Sequence, residues 1–146
     1  MEGIVYTIGY EGQTTEGFIE KLHTNSIQTI IDVRQKPVSR KKGFSGKTLE
    51  HILSKNDIKY ISCKELGVPK NIREVIQKEK NLLTFTNEYE RILETKIDIV
   101  KDLINHIYKE RCCLLCFEKK YSECHRSILA WNIKQIDGNG MRIKHL

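Results

Sequence analysis

A thiol, a carboxylate, a second thiol, an imidazole and a guanidinium fall within one short stretch, Cys116, Glu118, Cys124, His125 and Arg126. Cysteine offers a nucleophile, and glutamate a general acid or base. Arginine offers a planar fork of donors for phosphate or carboxylate. Asp32 and Arg34 form a second such group farther up the chain. On residue type alone Glu118 and Asp32 are candidates for acid or base work and Cys124 or Cys116 for the nucleophile. Arg34, Arg126, His125, Tyr10 and Cys116 are candidates for holding the ligand.

Spacing narrows the chemistry. A thiol phosphatase places five residues between its cysteine and its arginine, whereas nine separate Cys116 from Arg126 and only His125 separates Cys124 from Arg126. Glu118 and Glu123 would also repel a phosphate cradled between them. Zinc sites favour pairs of cysteines two to four residues apart. Cys113 and Cys116 make one such pair, but a strand points them to opposite faces, and Cys124 and His125 are adjacent, a poor geometry for two ligands on one ion. Neither a metal nor a cofactor is expected. Ion pairing of Arg126 or Arg34 with Glu118, fixing the loop, stands as an alternative to ligand binding.

The elements around these residues alternate. Ile4 to Ile8 reads as a strand stopping at Gly9, and Phe18, Ile19 and Leu22 recur at helical spacing behind Thr14 or Thr15 as a cap. Gln28 to Val33 is a second strand, apolar throughout its middle, as for a strand covered on both faces. Ser45 can cap a helix carrying Leu49, Ile52 and Leu53, and Ile58 to Ser62 is a third strand. From Asn71 the helical pattern is weak and charged; clearer helices run from about Thr86 to Leu93 and from Ile97 to Tyr108. Arg111 to Phe117 is the central strand, a helix follows from Ser122 or Cys124 to about Gln135, and Met141 to His145 adds a last strand. The expected fold is α/β: three layers, a predominantly parallel sheet of about five strands with helices on both faces, in a single domain over 1–146. Parallel strands gather ligands at their C-terminal ends. Gly9, Tyr10, Asp32, Arg34, Cys63, Cys116 and Glu118 all fall just there. A helix starting near Cys124 would add its unpaired N–H groups and lower a thiol pKa below its free value of about 8.5.

At 146 residues the chain can bury roughly 70% of the surface its unfolded form exposes. No apolar run approaches the roughly 20 residues that cross a bilayer, and Met1-Glu2-Gly3 does not open a signal peptide. A cytoplasmic protein without a membrane partner is expected. Five cysteines, an odd number, then argue for reduced thiols, with Cys63, Cys112 and Cys113 packing as small hydrophobes. The net charge of +6 is localised: Arg34, Lys36, Arg40, Lys41, Lys42 and Lys47 follow one another without an acid, and the remainder is balanced. Such a run is either a solvated loop or a grip on phosphates.

Thr7-Ile8-Gly9-Tyr10, Ile31-Asp32-Val33-Arg34 with Pro37 and Ser39, Phe44, Tyr60, Leu66-Gly67, Leu115-Cys116-Phe117-Glu118 and Cys124-His125-Arg126 together resemble domain of unknown function family 488, over nearly the whole chain. The resemblance implies an α/β fold and a site formed by Asp32, Arg34, Cys116, Glu118, Cys124, His125 and Arg126. It supplies no reaction. Two functions remain open. One is an enzyme of nucleotide or nucleic-acid metabolism holding a phosphate at the strand ends. The other is a non-catalytic nucleic-acid-binding module, gripping backbone phosphates with Arg40, Lys41 and Lys42 and stacking bases on Tyr10, Phe44 or Tyr60. In both the partner is an anionic ligand, a nucleotide or a nucleic acid.

Overall fold

A computed structural model describes residues 3–79, 82–119 and 125–146. The elements run β1 (Ile4–Gly9), α1 (Thr15–Thr24), β2 (Thr29–Asp32), α2 (Gly46–Lys55), β3 (Lys59–Ser62), a single 3-10 turn (Lys64–Leu66), α3 (Lys70–Glu79), α4 (Leu82–Glu94), α5 (Ile97–Lys109), β4 (Cys112–Cys116), α6 (His125–Asp137) and β5 (Arg142–His145). The five strands form one sheet in the order β3-β2-β4-β1-β5, parallel at every pairing. The expected α/β fold is the fold observed.

β4 lies in the middle of the sheet and all five of its residues are buried. Covered on both faces, it has no side open to water and so no polar alternation. The two-residue period sends Val5, Ile31, Cys112 and Leu114 toward the layer that includes α4, α5 and α6, where they meet Tyr89, Leu93, Leu103 and Leu129. The intervening residues Tyr6, Ile8, Ile30, Cys113 and Leu115 pack on Phe18 and Leu22 of α1 and Leu49 and Leu53 of α2. Apolar burial on both faces holds the three layers together.

Local signals are honoured unevenly. Thr14 caps α1, its Oγ1 accepting from Gly17 N at 3.0 Å. Ser45 stands at the N-cap of α2 but makes no side-chain cap. Its hydroxyl accepts from Ser39 N at 3.0 Å and donates to Ser39 O at 3.1 Å, tying down the basic loop instead. α4 is described from Leu82 onward, earlier than the expected Thr86; Phe85, Tyr89 and Leu93 bury one face of it, and tertiary packing extends a helix beyond its local propensity. The helix expected from Ser122 or Cys124 is described from His125 onward; Ser122 and Cys124 lie outside the described residues. Among the described residues, no helix is long and apolar enough to cross a membrane.

Candidate functional site

The register makes the C-terminal ends of the strands level. Gly9 pairs with Cys116, and Asp32 with Leu115 on one side and Ser62 on the other. Asp32 ends β2 fully buried. Its carboxylate takes Arg34 as a two-pronged partner, Nε to Oδ1 at 2.8 Å and Nη2 to Oδ2 at 2.7 Å, and also accepts Arg34 N at 3.1 Å and the Tyr60 hydroxyl at 2.6 Å. Arg34 spends Nη1 on Phe44 O at 2.7 Å and the Tyr10 hydroxyl at 3.2 Å. Burial opposes the Arg34 charge, but hydrogen bonds and Coulomb attraction from Asp32 outweigh it and raise the guanidinium pKa. Burial, reinforced by Asp32, likewise pushes the Tyr60 phenol up. The ion pair thus clamps the far end of the basic loop, at Phe44, to the end of β2.

A second latch holds the segment after β4. Arg126 is completely buried in the first turn of α6. Its Nε donates to Thr7 Oγ1 at 3.1 Å, Nη1 to the backbone carbonyl of Glu118, and Nη2 to Lys119 O at 3.1 Å. The contact to Glu118 is therefore with the peptide rather than a carboxylate pair. From the other side Glu11 N donates to Phe117 O at 2.8 Å, and Glu11 Oε1 accepts from Lys119 N at 3.0 Å. Gly9 makes this closeness possible: a Cβ there would fall 1.7 Å from the Glu118 carbonyl oxygen. His125 donates Nε2–H to Val33 O at 3.0 Å, and its ring meets Tyr89 edge-on at 5.4 Å. Burial, with Arg126 and Arg73 nearby, pushes its pKa down to about 4, so the imidazole is neutral.

Between these latches opens a cavity of about 580 Å³, within the size range of small-ligand sites. Tyr10, Arg34, Cys116, Glu118 and His125, all expected at a site, line it. Arg40 and Lys41 of the basic loop do so too, and Lys36 and Arg73 add two further cations. Asp32 and Arg126 are not among the lining residues; they stand behind the wall, one under Arg34 and the other under the loop after β4. Lys42 faces a neighbouring recess with Gln13, Thr14 and Lys41. Tyr10 and Phe44 are buried and stacked on each other, ring centroids 4.7 Å apart, while Tyr60 spends its hydroxyl on Asp32. Arg34 is matched by Asp32, which leaves, among the described lining residues, Lys36, Arg40, Lys41 and Arg73 facing one carboxyl, Glu118. Burial raises the Glu118 pKa against the opposing pull of Arg126 and Arg73, so it keeps its proton to a higher pH than a solvated glutamate.

Sequence reasoning missed Arg73, one of several charged residues of α3, which its residue type alone does not set apart from the others. It also missed Thr7 as the acceptor for Arg126. The alternation along β1 carries that signal, since Thr7 shares a face with Val5, toward α6. Cys63, Cys112 and Cys113 are free and buried, as small hydrophobes pack; burial pushes the thiols of Cys63 and Cys112 up to about 11 and about 12. Cys116 is disulfide-bonded, so the expectation of reduced thiols fails for it, and Cys124 lies outside the described residues. The Cys116 Sγ lies 3.2 Å from Arg126 Nη1 and 3.5 Å from Glu118 Oε2. Among the described residues no group of three His, Cys, Asp or Glu is arranged to hold a metal ion.

Comparison with curated proteins and with solved structures gives no significant match. A family model does match: residues 14–133, from the cap of α1 to the last buried turn of α6, fit the family described as Domain of unknown function DUF488, and the chain belongs to that family.

Proposed function

We propose that the strand-end cavity binds the phosphate of a nucleotide or of a nucleic-acid strand. The observation that carries this reading is the imbalance of its lining, in which, among the described residues, Lys36, Arg40, Lys41 and Arg73 face the single carboxyl of Glu118. Cations crowded around one concavity repel one another unless an anion joins them. Glu118, its pKa raised by burial, is a weaker counter-charge than a solvated glutamate, and in its protonated form it is a donor for a phosphate oxygen. Arg34, with four donor contacts already made, positions the loop that carries Lys36, Arg40 and Lys41 rather than gripping the ligand. If the ligand is turned over, Glu118 is the proton donor to its leaving group.

The test is a titration with a fluorescein-labelled oligonucleotide across a salt series. Affinity should fall steeply with salt, and removing one cation, by Lys41→Ala or Arg73→Ala, should reduce the log–log slope by about 1. Binding that ignores salt, or slopes unchanged in both variants, would remove the reading. The non-catalytic alternative draws on Lys42, which lies beside Lys41 in the adjoining recess and extends the basic surface beyond the cavity. It predicts that Lys42→Ala flattens the slope as much as Arg73→Ala; the cavity reading predicts a larger effect at Arg73.

A further inference from the structure

We infer that Phe117 is the stacking platform for an unpaired nucleobase, which makes the ligand a base-bearing phosphate rather than a phosphate or sugar phosphate alone. This rests on the phosphate reading above and deepens it. Phe117 is the first residue past β4, lines the cavity and is 46% exposed. Large aromatic side chains are ordinarily driven out of water, and this one stands beside a row of cations that would suit a solvated polar residue better.

Its backbone is not free to carry it elsewhere. Phe117 O accepts from Glu11 N at 2.8 Å, and the next carbonyl, that of Glu118, is held by Arg126. The ring makes a T-shaped contact with Tyr10, centroids 5.4 Å apart at 77°. Tyr10 is itself backed by Phe44 in a stack, and Phe44 by Phe18. An exposed ring resting on Tyr10, which two further buried rings back in turn, is restrained before any ligand arrives, so less side-chain entropy is lost on binding.

The surroundings fit a base. Val38, 78% exposed, projects from the basic loop into the lining of the same cavity, which thus presents apolar surface and phosphate-binding cations together. Inorganic phosphate has no use for the apolar part. A nucleotide uses both, its π face on Phe117 and its phosphate on the cations, the combination by which proteins hold single-stranded nucleic acid. A paired base in a duplex offers no such face.

Three probes separate the possibilities on the full chain: ribose 5-phosphate, adenosine monophosphate, and a short fluorescein-labelled oligonucleotide offered single-stranded or as a duplex. Phe117→Ala should weaken the single strand, the mononucleotide or both by roughly 5- to 100-fold, the range found when an aromatic under one base is truncated. It should leave ribose 5-phosphate and the duplex unchanged, and Phe117→Trp should retain binding. Lys41→Ala should weaken every probe that binds. Loss confined to the single strand assigns the source as a strand; loss with the mononucleotide as well assigns the base and its phosphate as sufficient. If Phe117→Ala binds the mononucleotide and the single strand as the parent does, while binding stays salt-dependent, the platform is overturned and the phosphate reading stands. If no probe binds at low salt, both fall. An unchanged melting temperature for Phe117→Ala confirms that the variant is folded.

Discussion

Arg34 and Asp32, two residues apart at the end of β2, form a two-pronged pair shielded from solvent, with donor–acceptor distances of 2.8 and 2.7 Å. Buried pairs of this kind add little stability over an apolar replacement, but removing one partner strands the other. Asp32→Ala should therefore destabilise the protein by about 3–5 kcal/mol, because it leaves Arg34 unmatched and Tyr60 without its acceptor. Urea unfolding should show this as a lower midpoint at an unchanged m-value. A loss below about 1 kcal/mol, the scale of a surface pair, would contradict the buried clamp. Arg34→Lys keeps the charge and loses the fork, together with the bond to Phe44 O; it should cost less stability than Asp32→Ala and still loosen the loop bearing Arg40 and Lys41.

Gly9→Ala should be among the most damaging single-methyl additions in the chain. The new Cβ would sit 1.7 Å from the Glu118 carbonyl oxygen and 2.8 Å from Arg126 Nη1, and both are fixed by the latch they form together. Overpacking ordinarily costs about 1–3 kcal/mol; here the obstacle is backbone, so the upper end or beyond is expected. Thermal unfolding measures it, with Gly138→Ala as a contrast. The φ of Gly138 is +67° but nothing lies within 4 Å of its Cβ position, so only the left-handed strain of about 1 kcal/mol applies there.

The architecture was legible because it depends on repetition. Apolar runs such as Cys112–Cys116 and spacings such as Phe18, Ile19, Leu22 recur often enough to outweigh local noise, and alternating strands and helices leave few topologies open. The shared edge on which the candidate residues gather followed from the same rule, since residues after parallel strands lie side by side. The division of labour at that edge was not legible. Asp32, Arg34 and Arg126 are the residue types of a ligand site, yet Asp32 and Arg126 turn inward and brace it. A sequence shows what a guanidinium can hold, not whether a backbone carbonyl has taken it first. Arg73 was invisible for the opposite reason: it is one of several charged residues in α3, nothing in its type sets it apart from them, and only tertiary packing brings it to the cavity.

Arg126→Met tests the second latch. Three acceptors, Thr7 Oγ1 and the carbonyls of Glu118 and Lys119, would lose a charged donor, and hydrogen bonds to charged groups are worth about 1.5–3 kcal/mol each. They share one side chain and do not add fully, so a total loss of about 2–4 kcal/mol is expected. The sharper readout is local. Amide exchange at Lys119, whose N–H is held by Glu11, should accelerate more than amides of α1, on the far face of the sheet. Uniform acceleration would mean that Arg126 supports the fold globally rather than the loop.

Acid should weaken the protein through His125. Its imidazole, partly buried edge-on to Tyr89 at the cavity wall and with Arg126 and Arg73 disfavouring a positive charge, titrates at about 4 when folded against 6.5 otherwise; the bond to Val33 O and Asp32 only partly offset this. Between those values the unfolded chain takes up a proton that the folded one refuses. The stabilisation is thus complete above about pH 6.5 and falls as the pH drops toward about 4, by of order 3 kcal/mol. His145, whose pKa is also lowered by burial and Arg126, acts in the same sense. Glu118 acts in the opposite sense. Its raised pKa means the folded state keeps a proton the unfolded state has released, so its contribution is present below 4.5 and is lost as the pH rises through the folded value. Melting temperatures recorded from about pH 4 to about pH 8 separate the two groups. His125→Gln, which can still donate to Val33 O, should flatten the acid limb, and Glu118→Gln should steepen the rise above pH 4.5. A His125→Gln profile parallel to that of the parent would show that the acid limb belongs to other groups.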